Sequence, residues 1–174
     1  MAKRRYDVLC DDLAARRADQ RRREKLANDI ARNFRAAFAS FLGVDDADPD
    51  DRLVFLWGVA FADNDDVVPV NRSQQHSAVD YVLPDKQNEW VFVIRVKLST
   101  EERFTRCRIR IKKTTAELHI PDSPSPFPIT YDEEATYEAA LEALYEHLRK
   151  TLQWRPWSGK PQPQMGFQPP GMER

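Results

Sequence analysis

The stretch WVFVIRVKLSTEERFTRCRIRIKK, residues 90–113, decides the fold because apolar and charged side chains alternate along most of its length. Such alternation is typical of β-strands with one face in a core. We expect strands over residues 90–98 and 105–113, joined by a turn at residues 99–103. The alternation places one apolar set on a single face, namely Trp90, Phe92, Ile94, Val96, Leu98, Cys107, Ile109 and Ile111.

The opposite face of this predicted hairpin is basic. It receives Arg95 and Lys97 from the first strand and Arg106, Arg108, Arg110 and Lys112 from the second. The simplest register that keeps the apolar sets together places Lys97 opposite Arg106 and Arg95 opposite Arg108. Because like charges directly across a sheet repel each other, this face needs an anionic partner.

A nucleic-acid backbone is the partner that these cations favour, because Lys and Arg on neighbouring strands can follow a row of phosphates. A sheet face cannot enter a duplex groove as a helix does, which slightly favours single-stranded DNA or RNA. Secondary contacts are expected from Arg16, Arg17, Arg21 and Arg22. The first prediction is therefore a non-catalytic nucleic-acid-binding protein.

Two other interpretations of the charges stay open. Asp80 and Glu117 fall on the same face in flanking strands, and they could make it an ordinary solvated surface. A glutamate row near the C-terminus, formed by Glu134, Glu138, Glu142 and Glu146, also needs a cationic partner. With Trp154 and Trp157 in a Pro-rich tail, this row predicts instead a small adaptor or regulatory protein that binds other proteins.

The N-terminal segment has a helical pattern without Pro or Gly over residues 6–42, and Gly43 should end the helix. Leu26, Ile30, Phe34, Phe38 and Phe41 recur at core-facing spacing, whereas residues 16–25 carry no large apolar side chain. The segment is thus one helix with a solvated part, or a helix pair. Tyr6, Leu9 and Leu13 form a narrow apolar stripe that a second copy could cover, which favours a homodimer.

The other segments complete an α+β domain with an antiparallel meander of about five strands. We expect a central or twice-covered strand at residues 53–61, further strands at 77–83 and 116–120, and irregular structure at 121–128. A C-terminal helix should begin near residue 132 and bury Tyr137, Leu141, Leu144, Tyr145, Leu148 and Leu152. The predicted divisions are a basic helical arm at 1–25, the core domain at 26–154 and a disordered tail at 155–174.

The composition and the motifs of the sequence speak against a metalloprotein, an enzyme and a membrane protein. The net charge is −1, and the two Cys have no metal-binding or redox spacing. No Gly-rich phosphate loop or nucleophile motif is present, and the three His share no ligand spacing, so we expect no enzyme activity, metal or cofactor. The sequence contains no apolar run long enough for a membrane span and no signal-peptide pattern, so a cytoplasmic location is expected.

Overall fold

The structure, a computed structural model, describes residues 4–44, 53–61, 66–70, 81–85, 87, 89–99, 101–113, 115–130 and 134–153. A long helix, an antiparallel sheet and a second helix follow one another, so the predicted α+β class is confirmed. The described residues form helices α1 (Arg5–Phe41) and α2 (Glu138–Gln153), and strands β1 (Val54–Trp57), β2 (Val59–Phe61), β3 (Val67–Pro69), β4 (Leu83–Pro84), β5 (Trp90–Leu98), β6 (Glu101–Ile111), β7 (Ala116–His119) and β8 (Phe127–Ile129).

Helix α1 is one continuous helix of 37 residues rather than a pair. Residues 5–25 are exposed around the whole helix, and packing begins only near Ala27. We call residues 5–25 the arm. Gly43 ends the helix as predicted: at φ +68° its N–H donates to the Ser40 carbonyl, and the N–H of Val44 donates to the Ala39 carbonyl. This left-handed conformation suits glycine, which has no Cβ.

The main sheet has the order β1-β5-β6-β7-β8, and all pairs are antiparallel. The prediction of one continuous strand over residues 53–61, central or twice-covered, is wrong, because Gly58 separates two short strands. Strand β1 lies at the sheet edge, and β2 belongs to a separate two-stranded sheet with β3. Strand β4, which follows the β2–β3 sheet in the chain, belongs to the main sheet again and pairs with β5 next to β1. Residues 53–61 are apolar on both sides because they contribute side chains to two apolar clusters, Val54 to one and Val59 to the other.

The register between β5 and β6 differs from the predicted one by four residues. Arg95 lies opposite Phe104, Lys97 opposite Glu102 and Val93 opposite Arg106. The predicted five-residue turn is in fact a two-residue connection between Leu98 and Glu101, with Ser99 at φ +56°. This positive φ is the conformation that tight hairpin turns require, and it draws residues 101–104 into β6.

The last elements also differ in detail from the predicted ones. Residues 127–129 form β8 against β7, although the Pro-rich segment was expected to be irregular. Pro128 is tolerated because β8 is an edge strand. A 3₁₀ turn, Glu134–Tyr137, precedes α2, and most of the predicted apolar stripe is buried or partly buried. Leu152 is the exception, with 47% of its surface exposed near the end of the helix.

The two faces of the sheet are both partly covered. The inner face packs against α1 and α2 around Phe34, Phe38, Phe92, Ile109 and Leu144. The outer face carries a smaller cluster of Val59, Val67, Val91, Val93 and Phe104 beneath the β2–β3 hairpin. The expected open basic surface is therefore interrupted by buried apolar side chains.

Several predictions lie outside the described residues. These are the tail with Trp154 and Trp157, the carboxylate of Asp80 and most of the predicted strand at residues 77–83. Within the part of the chain that the structure describes, no helix is both long and apolar enough to cross a membrane.

Candidate nucleic-acid interface

Arg95 is enclosed rather than displayed on the outer face, since only 7% of its surface is exposed. Its guanidinium lies 4.7 Å from the ring centroids of both Phe55 and Trp57. Its Nη2 is 2.8 Å from Oε1 of Glu102, one strand away. Cation–π contacts of this kind are strongest where water is excluded. Arg95 therefore holds β1 against the β5–β6 hairpin, and it is not positioned for a ligand.

The next two predicted cations have contrasting environments. Lys97 is exposed opposite Glu102 at the end of the hairpin. Arg106 is partly buried, and desolvation followed by the nearby charge of Arg108 lowers the pKa of its guanidinium. Asp85 and Asp66 oppose this shift through their negative charge.

Glu89 is a carboxylate that Arg108, Arg110 and His119 all approach, and only 3% of its side chain is exposed. Arg110 donates a hydrogen bond to it. Arg108 Nη1 lies 4.0 Å and His119 Nε2 lies 3.9 Å from its oxygens. The sequence contained the signal for this residue, because Glu89 occupies the same alternating position as Val91.

Two further carboxylates complete the arrangement. Asp85 Oδ2 lies 3.8 Å from Arg108 Nε, and Asp85 Oδ1 accepts the backbone N–H groups of Gln87 and Glu89. Lys112 donates a hydrogen bond to Glu117, which lowers the pKa of that carboxyl. Arg110 also approaches Glu117, at 3.8 Å. We call this set the outer-face ion network: Asp85, Glu89, Glu117, Arg108, Arg110, Lys112 and His119.

The outer-face ion network already supplies the anions that the basic row was expected to seek from outside. A phosphate approaching Arg108 or Arg110 would compete with the carboxylates already beside them. Arg108, Arg110 and Lys112 are therefore brought together mainly by Asp85, Glu89 and Glu117, whereas Arg95 pairs separately with Glu102.

A different group of five cations, together with the neutral Asn28, lies on one face of α1. Arg17, Arg21, Lys25, Asn28, Arg32 and Arg35 are each three or four residues apart. At 100° per residue they fall within an arc of about 80°, and Glu24 is at its border. We call these six residues the basic stripe. The sequence showed it, but only in helical projection rather than as a run of charges.

The basic stripe differs from the outer-face ion network in its pairing. Arg17, Arg21, Lys25 and Arg32 are exposed, and none of them forms an ion pair with another residue that the structure describes. Arg35, at the far end, is partly buried and has contacts of its own. Of the four secondary residues named from the sequence, Arg17 and Arg21 lie on the stripe, whereas Arg16 and Arg22 project from other faces.

Other polar clusters are less suited to binding. His147 is buried and its Nδ1 lies 2.8 Å from Oδ2 of Asp122, which ties α2 to the loop after β7. Within the described ranges, no group of three or more His, Cys, Asp or Glu side chains is placed to hold a metal ion. Comparisons with protein-family models, curated proteins and solved structures found no match to this chain. We therefore infer the function from the chemistry of the protein's surfaces.

The outer-face ion network makes a stability prediction. Glu89→Gln keeps the shape of the side chain but removes the charge that Arg108, Arg110 and His119 share. We expect the free energy of unfolding in urea to fall by about 1–3 kcal/mol, since hydrogen bonds to charged groups are worth this much. The control is Glu101→Gln, which removes an exposed pair with Arg103 and should cost less than about 1 kcal/mol. Equal effects would show that Glu89 does not organise the network.

Proposed function

We propose that this protein is a non-catalytic nucleic-acid-binding protein and that the basic stripe of α1 is its principal contact with the phosphate backbone. The observation that supports this proposal is the contrast in pairing. The cations of the outer face are opposed by Asp85, Glu89 and Glu117, whereas four of the stripe cations face solvent without a described carboxylate partner.

The dimensions of the stripe suit a nucleic-acid backbone. From Arg17 to Arg35 it extends about 27 Å along the helix axis, close to the length of eight base-pair steps of a duplex. Its N-terminal half lies on the arm, whose residues are all exposed. The arm residues that share a pocket with Pro84 and Trp90 of the sheet are Arg16, Asp19, Gln20 and Arg23, and none of them belongs to the stripe. Phosphates bound there would release counterions, so the affinity should depend strongly on salt.

The matched test uses the four arginines that the sequence singled out. Arg17→Gln with Arg21→Gln removes two stripe cations, and we expect the affinity for a labelled oligonucleotide to fall at least tenfold at about 50 mM salt. The slope of log affinity against log salt should also decrease by about two. Fluorescence anisotropy across a salt series measures both quantities.

The control for this test is Arg16→Gln with Arg22→Gln, which makes the same charge change on other faces of the same helix. It should lower the affinity less than about threefold. An equal loss in both double variants would show that only net charge matters. A wild-type protein without detectable binding at low salt would contradict the proposal itself.

The second candidate function is protein–protein association through the arm, including a homodimer. The observation that favours it is exposed apolar surface: Tyr6 is 73%, Leu9 67% and Leu13 48% exposed. These three residues follow three- and four-residue spacing, typical of one side of a coiled coil. The acidic helix offers less, because Glu146 already pairs with Arg149, although Glu138 and Glu142 are exposed.

An antiparallel pair of arms suits these side chains best. Leu9 would contact Leu13 of the second copy, and Tyr6 would lie against Arg16 of that copy. Arg5 would approach Asp19 of the second copy, which pairs opposite charges. A parallel pair would instead place Arg16 against its own equivalent and Asp19 near Glu24, so we propose the antiparallel arrangement.

The arm association makes a crosslinking prediction. Cys10 is exposed and would lie near the two-fold axis of an antiparallel pair, on the same side as its equivalent. Cys107 is buried, and burial raises the pKa of its thiol, so it should not react. A short bis-maleimide should therefore give a covalent dimer whose yield rises with protein concentration.

Leu9→Asp with Leu13→Asp should abolish this crosslink. The control, Val8→Asp with Ala15→Asp, makes the same charge change on the opposite side of the arm and should leave most of the crosslink. Light scattering that gives a concentration-independent monomer mass would rule out the dimer. A dimer that does not crosslink through Cys10 would rule out the antiparallel arrangement.

A further inference from the structure

We propose that the pocket at the C-terminal end of the basic stripe receives a single unstacked nucleotide, so that the protein recognises unpaired bases. This inference rests on the proposed nucleic-acid binding and specifies which form of nucleic acid is bound. The pocket lies between α1 and the edge strand β1 and has a volume of about 310 Å³. It is lined by Arg32, Arg35, Val54, Phe55, Leu56 and Tyr81.

The pocket continues the basic stripe, because Arg32 and Arg35 belong to both. Arg32 is exposed at the mouth, whereas Arg35 is partly buried. A strand whose phosphates follow Arg17, Arg21 and Lys25 would therefore reach this pocket at its next contacts. Arginine forms forked hydrogen bonds with phosphate, which fits the positions of both guanidinium groups beside the pocket.

Tyr81 supplies an aromatic surface beside these two arginines. It is 42% exposed, which leaves much of its side chain accessible to a ligand. The ring of Phe55 is already in contact with the Arg95 guanidinium on the outer face. Tyr81 is therefore the ring that a base can stack on, and stacking on one aromatic side chain is sequence-tolerant because every base has a π-face.

The edge of β1 supplies hydrogen-bonding groups for the base. The backbone N–H of Lys97 donates to the carbonyl of Leu53, and in an antiparallel ladder such bonded pairs alternate. The backbone N–H and C=O groups of Phe55 and Trp57 are thus directed towards β5, and those of Val54 and Leu56 point away from β5, to the edge of the described sheet. A base stacked on Tyr81 can exchange donors and acceptors with this backbone.

The size and composition of the pocket favour a nucleotide over an extended peptide. A volume near 300 Å³ is at the lower end of small-molecule sites. A peptide that extends a sheet needs a longer row of outward backbone groups, whereas β1 directs only Val54 and Leu56 outward. A second pocket, which Arg16 on another face of α1 lines together with Trp90, lacks a comparable ring because Trp90 is only 6% exposed.

The test compares Tyr81→Ala with Tyr81→Phe on a labelled single-stranded 12-mer and on a duplex of the same sequence. We expect Tyr81→Ala to weaken single-strand binding about tenfold, since one stacked base is lost. Tyr81→Phe should stay within about twofold because its ring remains. Duplex binding should be unchanged, as paired bases are unavailable to the pocket. Thermal unfolding by circular dichroism verifies that both variants are folded.

Several results would overturn the inference. Single-strand binding that is unchanged by Tyr81→Ala, or an equal loss on the duplex, would show that no base stacks on Tyr81. If Tyr81→Ala leaves single-strand binding unchanged but Arg17→Gln with Arg21→Gln strongly weakens it, the protein still binds nucleic acid through the stripe. The pocket then takes no part in that binding.

A titration with adenosine monophosphate tests the pocket independently of the stripe. In an NMR titration of the wild-type protein, the amides of Val54, Leu56 and Tyr81 should shift, and those shifts should disappear in Tyr81→Ala. This result without any oligonucleotide binding would support the pocket and contradict the proposed function. A polyglutamate peptide that shifts the same amides as strongly would identify a peptide groove and overturn the nucleotide assignment.

Discussion

The two-residue connection between β5 and β6 is the constraint on which the rest of the sheet depends. It fixes Leu98 opposite Glu101, and every other pair in the hairpin follows from it. Lys97 then faces Glu102, and Arg95 reaches Glu102 diagonally at 2.8 Å. The register avoids like-charge pairs between the two strands that a four-residue shift would create. The same register places Val93 and Phe104 where the β2–β3 hairpin can cover them.

Arginines in this protein have two different roles because their surroundings differ. On the outer face, buried or partly buried carboxylates oppose them, and breaking such pairs leaves an uncompensated charge. On α1, the stripe cations lie on a convex, solvated surface where an intramolecular pair contributes little. The near-zero net charge conceals this separation, since most of the acidic residues near β6 are used within the fold. Four cations of the basic stripe are left without a described carboxylate partner.

The sequence predicts those features that follow from local chemistry. Strand β5 begins at Trp90 and ends at Leu98 as expected, Gly43 ends α1, and the alternating apolar set faces the helices. The register could not be predicted, because a shift by an even number of residues leaves every side chain on the same face of the sheet. Alternation alone therefore cannot distinguish Arg95 opposite Arg108 from Arg95 opposite Phe104. The break at Gly58 also depended on tertiary packing, since both halves of that stretch are equally apolar. The sequence does predict Glu89 on the outer face if the alternation of β5 is extended by one residue before Trp90. It predicts the basic stripe only when α1 is drawn in helical projection.

We propose that nucleic acid binds on α1 and not on the outer face of β6. The most direct measurement is NMR chemical-shift mapping of the isotope-labelled protein with a single-stranded oligonucleotide at low salt. We expect the largest shifts at Arg17, Arg21, Lys25 and Arg32, with little change at Arg108, Arg110 and Lys112. Shifts concentrated on β6, with none along α1, would contradict it.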